Sequence, residues 1–434
     1  MTDLKDKRVT VAGLGRFGGG IAVSRWLVEQ GARVLVTDQA APDVLEGSVK
    51  QLDGLPIEYR LGEHREADFE KADIVVASPA IPPASLYLQA ARAKQIPVTT
   101  EIRLFVERCP ARVVGVTGTK GKSTTTALLG GMLWQRHRTH VGGNIGKSLL
   151  FELPNIHKDD LVVLELSSFM LEYLAEAKWS PHVAVVTMIA ADHLDRHGNK
   201  EAYVDAKLNL VRFQQKDDVA VLNEACPDRE TFARATAARK VYFSLDGRKA
   251  FDLKIPGMHN QLNAQAAFAA AELFGVSWED AQRAVADFRG LPHRLELVHE
   301  RDGVRYFNDS IATIPEAAIA ALASFPPRSV VQIVGGYDKK LDLTAMCAAL
   351  VEQAKAVLCI GQTGPAIAAM VGQSQKTGAA ACYACGDLPT AMKIARQITS
   401  PCDVVLLGTG CASYDQFRNF EERGNAFAKL AREA

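Results

Sequence analysis

The sequence predicts an α/β protein built as three successive domains, each a mostly parallel sheet covered by helices. Three observations carry that expectation. Short β-branched runs alternate with Ala-rich helical patterns from end to end, as parallel sheets with helical crossovers require. At 434 residues the chain is longer than one hydrophobic core serves. Two breaks punctuate it: Arg108-Cys109-Pro110, between a helical pattern and a fresh apolar strand, and Gly290-Leu291-Pro292. The expected domains are residues 1–107, 108–291 and 292–434.

In the first domain the strand candidates are RVTVAG, ARVLVTD, DIVVASP and PVTTE. Gly13-Leu14-Gly15-Arg16-Phe17-Gly18 follows the first strand and opens a helix, and Asp38 closes the next strand about 20 residues on. Glycines there let the backbone approach a pyrophosphate at a helix N-terminus, and the acid accepts a hydrogen bond from a ribose hydroxyl. The pattern makes this domain Rossmann-like and specifies a nucleotide diphosphate, not NAD in particular. The plainer alternative is a glycine turn that only packs strand against helix.

The second domain opens with RVVGVTGTKGKSTTTALLGGML, a strand, a glycine-rich turn and a helix. Gly118, Thr119, Lys120, Gly121, Lys122, Ser123 and Thr124 form the shorter GTxGKS version of a phosphate loop, with Val116 where the strict pattern has glycine. Lys122 is placed to neutralise β and γ phosphates and the Ser123 hydroxyl to ligate Mg²⁺. This is a P-loop-type mononucleotide-binding domain, and ATP is its expected ligand. Glu165 ends the strand LVVLEL, where a carboxylate can hold Mg²⁺ or be a plain surface acid. Asp192-His193-Leu194-Asp195-Arg196-His197 follows the apolar run HVAVVTMI, so polar groups crowd the carboxyl end of a strand. His193 is a candidate ligand for a second Mg²⁺. Lys207 lies in EAYVDAKLNLV, and periodicity alone reads it as part of a solvated face.

The third domain repeats the doubly wound pattern with RYFND, SVVQIVGG, AVLCIG and DVVLLG, again Rossmann-like.

Composition narrows the function classes. With 48% hydrophobic and 23% charged residues the chain is of ordinary globular type. Lys plus Arg total 50, as do Asp plus Glu, so there is no basic footprint for nucleic acid or an anionic membrane. No apolar stretch approaches the roughly 20 residues of a membrane helix, and the first residues lack a signal-peptide pattern. Eight cysteines are too sparse for a disulfide scaffold, and Cys382 and Cys385 have no second pair to complete a zinc site. The expectation is a cytoplasmic protein with reduced thiols.

GTKGKS, LELSSF, DHLDRH, DAKLNL, HNQLNA, LPHR and FNDS, in this order, resemble the ATP-dependent Mur ligases of peptidoglycan synthesis. Within that family VAGLGRFG, Gly142-Gly143-Asn144, ELSSF, GLPHR and CASYDQFRNFEERG are most similar to the branch that adds D-glutamate to UDP-N-acetylmuramoyl-L-alanine.

The resemblance implies one substrate per domain. The first holds the UDP moiety through Gly13, Leu14, Gly15, Arg16, Phe17, Gly18 and Asp38, with Asn144. The second holds ATP through residues 118–124 and Asn263, joined by Arg294 at the γ-phosphate and Asp309 at the ribose. The third brings D-glutamate to Thr313, Lys339, Ser413 and Phe420. Lys122, Glu165, His193, Lys207 and Arg294 are the implied catalytic residues. The implied metal set, for two Mg²⁺, is Ser123, Glu165, His193 and Lys207, the last as a carbamate formed with CO₂. A monomer with small-molecule substrates only is implied, its domains closing about hinges near Cys109 and Leu291.

Some residues depart from the family pattern. Met170 stands where many relatives have Gln, Met188 where Asn is usual and Ile311 where Lys is frequent. Ala80 replaces the glycine of Ser-Pro-Gly, and Gly408-Thr409-Gly410 precedes CAS where SPA is frequent. Other readings are a Mur-type ligase for a different amino acid, an NAD(P)-dependent oxidoreductase carrying an ATPase domain, and a silent nucleotide-binding scaffold. The oxidoreductase reading leaves DHLDRH, LPHR and FNDS without a role.

Overall fold

Each apolar run named above becomes a strand of one of three sheets, and nearly all of them lie inside the sheet, where both faces are covered. The computed structural model describes residues 3–15, 18–373 and 380–433, so Arg16 and Phe17 of the glycine-rich run lie outside the described residues. The described chain divides into two compact units, residues 1–249 with 262–282, and residues 250–261 with 283–434.

The first unit contains two sheets. Strands β1 (Arg8–Ala12), β2 (Arg33–Asp38), β3 (Ile57–Leu61), β4 (Ile74–Ala77) and β5 (Val98–Thr99) form a parallel sheet in the order β3-β2-β1-β4-β5. Strand order reverses between β1 and β4, so a crevice opens at their carboxyl ends, which is where such sheets take ligands. Val9, Val11, Val34 and Val36 pack against Trp26 and Leu27 of the helix Gly19–Glu29.

The second sheet contains β6 (Arg112–Thr117), β7 (Thr139–Gly143), β8 (Leu161–Glu165), β9 (Val183–Val186), β10 (Val219–Asn223) and β11 (Arg239–Phe243). It is parallel throughout, in the order β11-β10-β9-β6-β8-β7. Because β6 lies between β8 and β9, the loop after it emerges beside Glu165 and Thr187. Gly115 in β6 admits a close approach: a Cβ there would lie 2.9 Å from Leu210, so the helix Lys200–Arg212 rests directly on the strand.

In the second unit β12 (Glu296–Arg301), β13 (Val304–Asn308), β14 (Val330–Gly335), β15 (Ala356–Ile360), β16 (Ala381–Gly386) and β17 (Val404–Leu407) run β12-β13-β17-β14-β15-β16. The doubly wound expectation holds for the parallel part; the β12–β13 hairpin adds an antiparallel edge. The insertion of β17 between β13 and β14 brings the loops after all three together. Among the described residues no helix is long and apolar enough to cross a membrane.

Candidate functional site

The phosphate loop has the backbone its glycines permit. Gly118 (φ +155°) has no room for a side chain, since a Cβ would lie 2.0 Å from Thr187 Oγ1. Gly121 (φ +86°) caps the helix Lys122–Trp134, and a Cβ there would meet Asn263 Oδ1 at 2.3 Å. The helix therefore begins without a capping side chain, and its first N–H groups face the loop. Thr119 N donates to Met188 O at 2.6 Å and Thr187 Oγ1 to Lys120 O at 2.7 Å, so the segment after β9 holds the loop open. The Met188 contact uses its backbone oxygen, which any residue there supplies. Lys122 Nζ donates to Thr119 O at 2.9 Å, and Ser123 and Thr124 are buried behind it.

Lys207 corrects the sequence reading. Instead of a solvated face it is 1% exposed, because its helix is pressed between β6 and the helix Ser168–Glu176. Its Nζ donates to Gly118 O at 2.8 Å and Thr117 Oγ1 at 3.3 Å, and lies 4.8 Å from the centre of the Tyr203 ring. Burial holds its pKa well below the ordinary lysine range, the charge of Lys122 adds to the depression, and Asp192 and Glu165 oppose it. The amine therefore sits at the foot of the phosphate loop in surroundings that disfavour its charged form.

Glu165 is likewise 1% exposed, not a surface acid. Its Oε1 accepts a hydrogen bond from Asn144 Nδ2 at 2.9 Å, whereas its buried Oε2 has no partner among the described residues. A buried carboxylate oxygen without a partner is costly, and a hard cation satisfies it. His193 is exposed in a left-handed conformation (φ +49°), its ring 5.0 Å from Phe169 and 6.4 Å from Tyr203. Among the described residues no three His, Cys, Asp or Glu side chains cluster as a metal cage.

A cleft of about 1290 Å³ opens at the switch point of the first sheet and reaches the second. Gly13, Leu14, Gly15, Gly18 and Asp38 line it on one side and Asn144, Ser167 and Phe169 on the other. Gly13 is required at φ +88°, where a Cβ would lie 2.7 Å from Ser78 Cβ. Asp38 shapes this wall as well as facing it, accepting hydrogen bonds from Gly15 N at 3.0 Å and Ala40 N at 2.8 Å. Asn144 serves two settings, the cleft wall and the Glu165 carboxylate.

In the second unit Asp309 leaves β13 and accepts a hydrogen bond from Leu295 N at 3.0 Å. Burial pushes its pKa up to about 6, against that hydrogen bond and the charge of Arg294. Arg294 itself is exposed, on a loop whose neighbours His293 and Leu295 both have positive φ (+62° and +41°). Strained conformations of this kind persist where function or packing demands them.

The loops carrying Thr313, Lys339 and Ser413 follow β13, β14 and β17 and are laced by backbone hydrogen bonds. Gly410 N donates to Ala312 O at 2.9 Å, and Tyr337 N to Ala412 O at 2.9 Å. In the altered segment at 408–410, Gly410 takes a left-handed conformation (φ +65°), and a Cβ there would lie 2.3 Å from Met346 Sδ. The Phe420 ring lies 5.9 Å from His293.

Two residues escaped the sequence reading. Arg423, 1% exposed, donates to Ser310 Oγ, Ser310 O and Cys411 O at 2.8–3.0 Å, fastening the loop after β13 to that after β17. Arg196 reaches from DHLDRH to the carbonyls of residues 79–81 in the first sheet's wall. Both stand inside quoted motifs, but nothing local distinguishes a buried arginine from a surface one.

Comparison with known proteins agrees with this architecture. Residues 7–100 match the family described as "Mur ligase MurD-like, N-terminal domain", 116–252 "Mur ligase middle domain" and 293–410 "Mur ligase, glutamate ligase domain". The chain is 44% identical over 98% of both chains to a UDP-N-acetylmuramoylalanine--D-glutamate ligase of Roseiflexus sp. (strain RS-1). It is 40% identical to a protein of the same name from Anaeromyxobacter dehalogenans, over 99% of this chain and 98% of that one. Among solved structures, a UDP-N-acetylmuramate-alanine ligase of Thermotoga maritima shares the fold at TM-score 0.61 and 20% identity, covering 98% of this chain and 99% of that one. A MurF ligase of the same organism, solved with ADP, does so at TM-score 0.56 and 19% identity, covering 100% and 97%. With three matched domains along its length and relatives of this identity, the chain belongs to the Mur ligase family.

Proposed function

We propose that the chain is an ATP-dependent amide ligase that joins D-glutamate to UDP-N-acetylmuramoyl-L-alanine and releases ADP and phosphate. The observation that carries this is its 44% identity, over 98% of both chains, to an enzyme of that name. The buried phosphate-loop cluster supports it. Residues 1–107 take the UDP substrate, 108–291 ATP and 292–434 the amino acid.

A carboxylate is a poor acyl donor, so ATP first converts the alanyl carboxylate to an acyl phosphate. The amine of D-glutamate then attacks the acyl carbon, and the tetrahedral adduct collapses to amide and phosphate. The difficulty is charge, because a carboxylate must meet a triphosphate. Residues 118–124 cradle the phosphates with backbone N–H groups, and Lys122, with Arg294 at the γ-phosphate, offsets the accumulating negative charge. Asn263 and Asp309 orient the adenosine. Thr313, Lys339, Ser413 and Phe420 hold the D-glutamate so that its amine faces the acyl carbon, and the rate gain comes from positioning, with no covalent enzyme nucleophile.

The unpartnered Glu165 Oε2 and the Ser123 hydroxyl suit Mg²⁺, with His193 able to serve a second ion. Bound there, the metal supplies further neutralisation of the phosphates. Lys207, a buried amine whose charged form is disfavoured by burial and by the charge of Lys122, suits carbamylation, which converts it into an anion for the same site. Gly13, Leu14, Gly15, Gly18 and Asp38 take the nucleotide diphosphate of the other substrate.

The test is phosphate release with purified protein, ATP, Mg²⁺ and UDP-N-acetylmuramoyl-L-alanine, comparing D-glutamate with L-glutamate, L-alanine and diamino acids. Release stimulated by D-glutamate alone is expected. Stimulation by another amino acid would move the chain to a different branch. No stimulation by any, together with NADH oxidation, would replace the ligase by an oxidoreductase.

A further inference from the structure

We infer that Arg196 is a positioning residue for the nucleoside diphosphate end of the UDP-linked substrate, acting from the second sheet's domain on the wall of the first. The inference rests on the reading of the cleft given above.

Arg196 lies on the short helix Leu194–His197, beyond the carboxyl end of β9, yet its guanidinium is spent on the first sheet. Nη1 donates to Ala80 O at 2.7 Å, and Nη2 approaches Ile81 O at 3.4 Å and Pro79 O at 3.5 Å. Three successive carbonyls of the turn after β4 thus converge on one cation. Its side chain is 10% exposed, seated 4.8 Å from the Phe169 ring centre and paired with Glu172 at 2.8 Å. A guanidinium removed from water to this extent is fixed in direction, because its planar fork must satisfy every acceptor at once.

The turn it grips is the cleft wall. Ser78, Pro79 and Ala80 line the cleft, and Ser78 packs closely on Gly13, where a Cβ would lie 2.7 Å from Ser78 Cβ. Tyr173 OH gives a second clamp on the same turn, donating to Ile81 O at 2.6 Å. Ala80 is where the sequence departs from Ser-Pro-Gly, and its carbonyl receives the shortest of the three Arg196 contacts. A turn held by side chains from another domain keeps its shape when a diphosphate loads the glycine-rich loop packed against it. Released, it costs affinity for that ligand and leaves ADP in the phosphate loop unaffected.

The experiment is calorimetric titration of the full chain with UDP alone and, separately, with ADP and Mg²⁺, for the native chain, Arg196→Met and Arg196→Lys. UDP Kd is expected to rise about tenfold in Arg196→Met and a few-fold in Arg196→Lys, which keeps the charge but loses the fork, with ADP Kd constant. In turnover, KM for the UDP substrate should rise more than kcat falls. ADP binding reports folding of each variant. Unchanged UDP affinity in Arg196→Met overturns the inference, as does an equal loss of ADP and UDP affinity, which marks a general structural role. Failure of the native chain to bind UDP would be seen before any variant is made, and would remove the cleft assignment and this inference together.

Discussion

Lys207 donates a hydrogen bond to the carbonyl oxygen of Gly118 at 2.8 Å, so an amine from a distant helix is docked on the backbone that shapes the phosphate loop. Loop and amine are a single construction: Gly118 can adopt its conformation only without a side chain, and Lys207 reads the carbonyl that results. Replacing Lys207 by Ala removes the amine and any carbamate on it. Turnover should fall by at least about a hundredfold, with ADP binding retained, and short carboxylates such as acetate should restore part of it. Full activity in the Ala variant would remove Lys207 from the mechanism.

Asn144 holds one oxygen of Glu165 and leaves the other for a cation. Groups that orient a ligand are worth about 10–100-fold in metal affinity. Asn144→Ala should therefore raise the Mg²⁺ concentration for half-maximal turnover by that order. A Mg²⁺ titration of phosphate release at saturating ATP measures it; an unchanged midpoint would make the Asn144 contact merely structural.

Asp38 braces Gly15 and Ala40 and faces the cleft. Asp38→Ala should raise KM for the UDP substrate while leaving KM for ATP nearly unchanged. Parallel rises in both constants would contradict the separation of the two nucleotide sites.

Asp309 gives a prediction in pH. Its carboxyl titrates at about 6 in the fold, against an ordinary value of about 3.9 in the unfolded chain. Between these values the folded chain holds a proton that the unfolded chain has released. Stability is therefore lost as pH rises from about 4 to 6, and the cost of burying the anion is complete above 6. Asp309→Asn keeps an acceptor for Leu295 N and carries no charge. It should be more stable than the native chain at pH 7.5, by roughly 1–3 kcal/mol, with the difference vanishing near pH 4. Activity should fall in the same variant if the carboxylate meets the ATP ribose. Urea midpoints across this pH range decide it, and a variant less stable at pH 7.5 would refute the buried-anion account.

The strands show where sequence reading stops. Interior strands such as β6 and β17 are buried on both faces and stand out as continuous apolar runs. Of the edge strands only β5 was legible. THVGG at β7, RKVYF at β11 and ACYACG at β16 mix polar, charged and small residues, because one side of each lacks a neighbour. Periodicity failed at Lys207 for a related reason: it assumes a helix with one wet face, and the helix Lys200–Arg212 is covered almost all round.

The sequence by itself determined the local chemistry: glycines at Gly13, Gly118 and Gly121 where the backbone must bend or come close, Lys122 and Ser123 at a helix start, and the order of motifs that marks the family. These features are written in residue types spaced a few positions apart, although the groups that crowd the three glycines, Ser78, Thr187 and Asn263, come from distant chain. Tertiary structure decided what each charged group became. Lys207 is buried against Thr117 and Gly118, about ninety positions upstream, Glu165 is half satisfied because β7 delivers Asn144, and Arg196 serves a wall in another domain. Protonation and direction follow from burial and partners, and both are supplied by chain distant in sequence and adjacent only in the fold.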